Sequence, residues 1–291
     1  MPSIKENEVI FTDPEVWRDG GEDWSARWGS SEMEWFWTIF PRIHKFVPTD
    51  TILEIAPGYG RWTRYLKDLC KSLVAVDLVE ECIEACKRRF RGDYHITYYK
   101  NDGKSLEMIS DGSIDFAFSF DSLVHAEDDV LDAYLLQLSS KLKKDGIAFI
   151  HHSNFGEYRR TLSAALESYV SERRTKDLET SLGLRCEKSW LLSNLYRRSM
   201  PLVNHLGIEF GHGRASSMTA EKFLQHAELG GLRCISQEMI NPIRQKMIDC
   251  ISIVTPVGSI WERPNRIVRN HKWPEEAKAG SRLMKLYGLW A

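Results

Sequence analysis

Short runs of apolar residues punctuate the chain between positions 50 and 155, and helically spaced apolar positions fill the gaps. Ile52 to Ile55 is interrupted only by Glu54 and breaks into Ala56-Pro57-Gly58-Tyr59-Gly60. Trp62, Tyr65, Leu66 and Leu69 then fall on one helical face. This predicts a strand, a tight glycine turn and a helix. Leu73 to Asp77 is a second apolar run, ending in an acid. Tyr94 to Tyr99 reads as a third strand before Asn101-Asp102-Gly103, and Ser113 to Phe120 as a fourth before Asp121-Ser122. Ile147 to His152 reads as a fifth, after the turn Lys144-Asp145-Gly146. Strands alternating with helices predict an α/β fold with a doubly wound, mostly parallel sheet.

The flanks read differently. Residues 1–50 carry Trp17, Trp24, Trp28, Trp35 and Trp37, with a helix expected over Glu32 to Phe40, and form an N-terminal helical cover. Residues 51–152 are the cofactor half. Residues 153–216 are too long for an ordinary connection and hold helical patterns at Arg160 to Ser171 and Trp190 to Arg198. They read as a helical lid insertion after strand 5. Residues 217–256 complete the sheet: Thr219 caps a helix, Gly230-Gly231 stops it, and Leu232 to Ile240 and Met247 to Pro256 are strands. Residues 257–291 form a basic tail.

Composition narrows the function classes. The net charge of −2 offers no global field for nucleic acid or an anionic membrane. No apolar run approaches a membrane span, and Met1 to Glu8 has no signal-peptide core. Six cysteines without a C-x-x-C pair fit a reducing cytoplasm.

The glycine turn lies at a strand's carboxyl end and a helix's amino end, where open α/β sheets bind nucleotides. The series Glu54-Ile-Ala-Pro-Gly-Tyr-Gly60, Val74-Ala-Val-Asp77, Asn101-Asp102-Gly103, Asp115 to Asp121 and Leu142 to Gly146 resembles the class I S-adenosylmethionine-dependent methyltransferases. Ala56 stands where that family usually has its first glycine. The resemblance implies S-adenosyl-L-methionine as cofactor and a C-terminal antiparallel hairpin at the sheet edge. It implies that Glu54, Ala56, Gly58 and Gly60 shape the methionine pocket. Asp77, beside Leu78, would hold the ribose, Asp102, beside Gly103, would meet the adenine, and Ser119 to Asp121 would lie under the methionine. Arg61 is a candidate for the methionine carboxylate, and Trp24 or Trp28 for covering the cofactor. A nicotinamide cofactor is the main rival, but Thr63 stands where its third glycine would fall.

A hydroxyl acceptor needs a base, which makes the histidines the residues to weigh. His125 is expected to be the base, with Asp121 one helical turn away as its orienter. His152, at the end of the fifth strand, is the second candidate, ahead of its neighbour His151. His205 and Gly211-His212-Gly213-Arg214 belong to the insertion, and the glycines there suit a loop that closes over substrate. Asp128-Asp129 suits a helix start, so no metal is expected. The expected acceptor is a hydroxyl of a small molecule or glycan, as in polysaccharide or natural-product biosynthesis. An amine or a nucleic acid is the alternative acceptor. An oxidoreductase, a non-catalytic partner subunit and a homo-oligomer stay open.

Overall fold

A computed structural model describes residues 3–158, 213–241 and 246–287. Eight strands make one sheet: β1 Thr49–Ile55, β2 Cys70–Asp77, β3 Ile96–Lys100, β4 Ile114–Ser119, β5 Leu142–Ser153, β6 Leu232–Ile240, β7 Asp249–Pro256 and β8 Arg266–Asn270. Their order is β3-β2-β1-β4-β5-β7-β6-β8. The first five strands are parallel, β7 runs antiparallel to both β5 and β6, and β8 lies parallel to β6. The order reverses beside β1, so the carboxyl ends of β1 and β4 part there and open a crevice.

Alternation along the strands sorts the core onto two faces. Ala117 and Ile150 point into one layer with Leu131, Leu135 and Leu138 of the helix Asp128–Lys141 and Phe223 of the helix Ala220–Leu229. Phe116, Phe118 and Phe149 point the other way, against the N-terminal residues Trp35, Ile39 and Ile43. Burying each of the Leu, Ile and Phe side chains contributes about 1.5–3 kcal/mol. The predicted cap is present: Thr219 Oγ1 accepts the Lys222 N–H at 3.0 Å.

Residues 31–43 form a helical run whose centre, Glu34–Ile39, is π-helical. Ahead of it lie α1 (Ile4–Thr12), closed by a Ser3–Glu6 capping box, and the kinked 3₁₀ stretch Pro14–Trp28. The expected basic tail is structured: it supplies β8 and a helix over Trp273–Tyr287. Arg42 of the N-terminal run binds both Glu238 on β6 and Glu276 on that helix, at 2.7 and 3.0 Å. Its guanidinium covers the buried Trp273 ring, which Trp28 meets edge-on. The two ends of the chain thus pack as one layer, because charges far apart in sequence neutralise each other there.

Among the described residues no helix is long and apolar enough to cross a membrane. The helical patterns at Arg160 to Ser171 and Trp190 to Arg198, with His205 and His212, lie outside the described residues.

Candidate active site

The glycine turn folds as it does because three alternate turn positions take a left-handed backbone. Ala56, Gly58 and Gly60 have φ of +59°, +58° and +83°. Ala56 takes this conformation against the preference of a residue with a Cβ. Its N–H donates to the Val76 carbonyl, and its own carbonyl accepts from Ser122 Oγ, both at 2.8 Å. Asp77 ties the turn to the next one. Its Oδ2 accepts the Gly58 N–H at 3.0 Å and its Oδ1 the Val79 N–H at 2.9 Å. Burial pushes the Asp77 carboxyl up to about 6.

A cavity of about 680 Å³ opens over these turns, well within the size range of small-ligand sites. Ala56, Gly58, Asp77, Leu78 and Gly103 form its floor, and Asp121 and His125 stand at one end. The N-terminal segment forms the roof. A Cβ on Gly58 would lie 2.4 Å from the Trp17 ring, and one on Gly103 would lie 3.0 Å from Ile4. Trp17 stacks between Tyr59 and Trp24, at centroid distances of 4.9 and 5.2 Å. Its indole N–H is held by the Phe11 carbonyl at 2.7 Å. The expected cover therefore comes from Trp17 and Trp24, whereas Trp28 packs on Trp273 away from the cavity.

Other expected cofactor residues sit elsewhere, each for a physical reason. Glu54 is buried beneath the turn and does not line the cavity. It accepts from Thr63 Oγ1 at 2.6 Å, and burial pushes it up to about 8. Gly60 is a packing glycine, since a Cβ would collide with Phe90 at 2.5 Å. Arg61 is buried and committed to Asp121 Oδ2 at 2.8 Å and Ser25 Oγ at 3.1 Å, so its charge is not free for a ligand carboxylate. Asp102 is turned onto its own loop, where Oδ1 accepts the N–H groups of Lys104 and Ser105 at 2.9 and 2.7 Å. Its neighbour Gly103 reaches the cavity instead. Ser119 and Phe120 are buried in the sheet layers below, and the cavity is lined by Asp121 and Ser122.

The two candidate histidines separate clearly. His152 is fully buried, stacked on Phe223 at 4.1 Å, with Nδ1 against the Ser153 carbonyl and Nε2 against Ser252 Oγ at 2.9 and 2.8 Å. Burial holds its imidazole down to about 3. It is a core residue and touches no part of the cavity. His125 ends a 3₁₀ turn and lines the cavity. Its Nδ1 meets the Gly213 carbonyl at 3.0 Å, so Nδ1 carries the proton and Nε2 keeps the lone pair. Burial first, then the Arg214 charge, hold His125 below the ordinary histidine range, so the ring is neutral at pH 7.

Asp121 is not hydrogen-bonded to His125, contrary to expectation. It takes a left-handed φ of +61° and faces two guanidiniums, Arg61 at 2.8 Å and Arg214 at 3.7 Å. Burial works to raise its pKa, but the two arginines outweigh it and hold the carboxyl below its ordinary value. Its N–H donates to His151 Nδ1 at 3.1 Å. The sequence reading missed the Arg214–Asp249 pair at 2.8 Å. No spacing rule joins residues from different segments of the chain. The tryptophan-rich front was the one visible signal for the roof.

Turn, acid and roof over a nucleotide-sized cavity define the protein class. The cavity wall offers Asp77, whose oxygens each accept one N–H and retain a lone pair for a sugar hydroxyl. Asp77 and the turn residues Ala56 and Gly58, all on the cavity wall, fit an adenosyl ligand. Residues 52–146 match the methyltransferase-domain family. They are a class I S-adenosylmethionine-dependent methyltransferase domain, and S-adenosyl-L-methionine is the cofactor.

Relatives are similar over parts of the chain. Ribosomal RNA small subunit methyltransferase A of Coxiella burnetii (strain RSA 331 / Henzerling II) is 32% identical over 62 residues, 21% of this chain and 24% of that protein. Phosphoethanolamine N-methyltransferase 1 of Triticum aestivum is 31% identical over 121 residues, 40% of this chain and 24% of that protein. The chain thus spans about a quarter of the length of the curated relatives it matches. An S-adenosylmethionine-dependent methyltransferase from Clostridium acetobutylicum ATCC 824 shares the fold, with a TM-score of 0.50 and 14% identity over 88% of this chain and 100% of that one.

Proposed function

We propose that this chain transfers the methyl group of S-adenosylmethionine to a hydroxyl of a small molecule or glycan, with His125 as general base. The observation that supports it is one shared cavity. Asp77 and the glycine turn line it, and so does a neutral histidine whose Nδ1–H is held by a carbonyl. The bound cofactor supplies a methyl on a sulfonium sulfur. The chain's own residues do the rest. Asp77 accepts the ribose hydroxyls, and the Trp17–Trp24 roof excludes water. His125 Nε2 would take the acceptor's proton and so leave the hydroxyl oxygen ready for in-line methyl transfer. Such an acceptor would suit a role in polysaccharide or natural-product biosynthesis.

An amine acceptor is the second reading. It is favoured by the wheat relative, whose name is that of an N-methyltransferase. An amine in its neutral form needs no base in the transition state, which separates the two readings. A nucleic-acid acceptor gains support from the Coxiella relative's name alone, against a net charge of −2.

The test is a labelled-methyl transfer screen over hydroxyl and amine acceptors, sugar nucleotides included, with wild type and His125→Ala. Label is expected in a hydroxyl acceptor, with turnover falling about 10²–10⁴-fold in the variant and S-adenosylhomocysteine affinity kept. Label in amines only, or undiminished turnover in His125→Ala, rejects this reading.

A further inference from the structure

Asp249 opens β7, pairs in register with Ser153 and Ile240, and is wholly buried. A buried carboxylate needs a partner. Arg214 supplies a two-pronged grip, Nε to Oδ1 at 3.1 Å and Nη2 to Oδ2 at 2.8 Å. His151 Nε2 lies 3.4 Å from the same Oδ2. Burial alone would raise the Asp249 pKa, but Arg214 and His151 outweigh it and hold the carboxyl well below its ordinary range. Bidentate pairing fixes orientation as well as charge, so Arg214 cannot rotate without breaking the pair.

The backbone beside Arg214 is pinned as well. The Ala215 N–H donates to the Val124 carbonyl at 2.8 Å, and its carbonyl accepts from Ser153 Oγ at 2.5 Å. Gly213, with φ +74°, directs its carbonyl at His125 Nδ1. A Cβ there would come within 3.3 Å of that nitrogen, so the imidazole lies flush on the glycine. Buried ion pairs contribute little net stability compared with well-packed apolar residues. A positioning role accounts for placing one here, one residue from the carbonyl that selects the tautomer of His125.

We propose that Gly213, Arg214 and Asp249 are positioning residues for His125: the buried Arg214–Asp249 pair anchors the Gly213 carbonyl, and that carbonyl keeps the proton on Nδ1 and the lone pair on Nε2. The consequence for turnover rests on the reading of His125 as base; the placement itself does not. The groups facing the His125 ring are Arg214, Asp121 and Asp249, besides the Gly213 carbonyl and the Phe11 ring.

The experiment is imidazole ¹⁵N NMR on the full chain at pH 7.5 without acceptor, with His125 assigned by its loss in His125→Gln. Wild type is expected to show Nδ1–H. Arg214→Met and Asp249→Asn are expected to populate Nε2–H, Arg214→Lys to restore part of the Nδ1–H form, and S-adenosylhomocysteine affinity to stay within about threefold of wild type by calorimetry. Turnover on the acceptor found above should fall about tenfold or more, as expected for a base in the wrong tautomer, with KM little changed. Gly213→Ala, which leaves the ion pair intact, should shift the tautomer too and serves if the pair variants do not fold. Nε2–H in wild type, or unshifted Nδ1–H in the folded variants, overturns the proposal. A tautomer shift with turnover unchanged upholds the placement and rejects His125 as base.

Discussion

At the cofactor end of the cavity, residues 56–79 supply turn, acid and most hydrogen bonds from one continuous stretch. At the histidine end, His125, Gly213, Arg214 and Asp249 come from three separate segments. The first end is held mainly by backbone N–H groups around one carboxylate. The second is held by a buried ion pair and a single carbonyl. Backbone-built sites tolerate side-chain change around them, whereas the assembled end depends on each distant member being in place.

Substitutions at the two ends should therefore fail in different ways. The largest effect is expected from His125→Gln, which should lower turnover about 10²–10⁴-fold and leave S-adenosylhomocysteine affinity within about threefold. A matching loss of affinity in calorimetry would mean that the two ends are not separable. Asp77→Ala should do the reverse, weakening S-adenosylhomocysteine binding on the order of 10²-fold, since charge-assisted hydrogen bonds contribute roughly 1.5–3 kcal/mol each. Asp77→Asn, which keeps the shape, separates lost charge from lost fold.

A smaller effect follows from pH. On the reading proposed above, sugar hydroxyls would donate to charged Asp77, whose carboxyl burial pushes up to about 6. Affinity for S-adenosylhomocysteine should fall about fivefold between pH 6 and pH 5, and Asp77→Asn should flatten that dependence. For stability the sign is opposite. A carboxyl raised from 3.8 to about 6 contributes most below 3.8, and that contribution is lost as the pH rises through about 6. Trp17→Ala should weaken S-adenosylhomocysteine by severalfold through a looser roof, read by calorimetry and by a smaller change in tryptophan fluorescence on binding. The smallest effect on turnover is expected for His152→Phe. It should cost about 1–3 kcal/mol of stability by removing the imidazole's hydrogen bonds to the Ser153 carbonyl and Ser252 Oγ, while Gln237 still donates to Ser252, and leave turnover near wild type. A large loss of turnover with intact stability would make His152 part of the chemistry after all.

The contrast also explains which residues could be read in advance. Gly58 and Asp77 were legible as cavity-lining positions, because a turn and the next strand's end recur at short separations that reflect one local geometry. Asp102 failed because its short side chain satisfies the N–H groups of its own turn before it can reach outward. His152 failed because strand alternation gives a face but not what covers it, and here Phe223 does. The tail was read only as basic, without strand or helix, because its partners, Glu238 and Arg42, lie on elements far away in sequence.

Periodicity, turn chemistry and the acid closing β2 were sufficient by themselves to determine the doubly wound sheet and the place of its nucleotide pocket. These are near-neighbour properties, set by backbone sterics and by hydrogen bonds between residues close in sequence. Only the tertiary structure decided which histidine faces the cavity, which tryptophans roof it, and that Asp121 answers to Arg61 and Arg214. Those outcomes depend on burial and on charge pairing between separate segments. Burying a charge forces it to find a partner wherever the fold brings one within reach, and no local pattern records that distance.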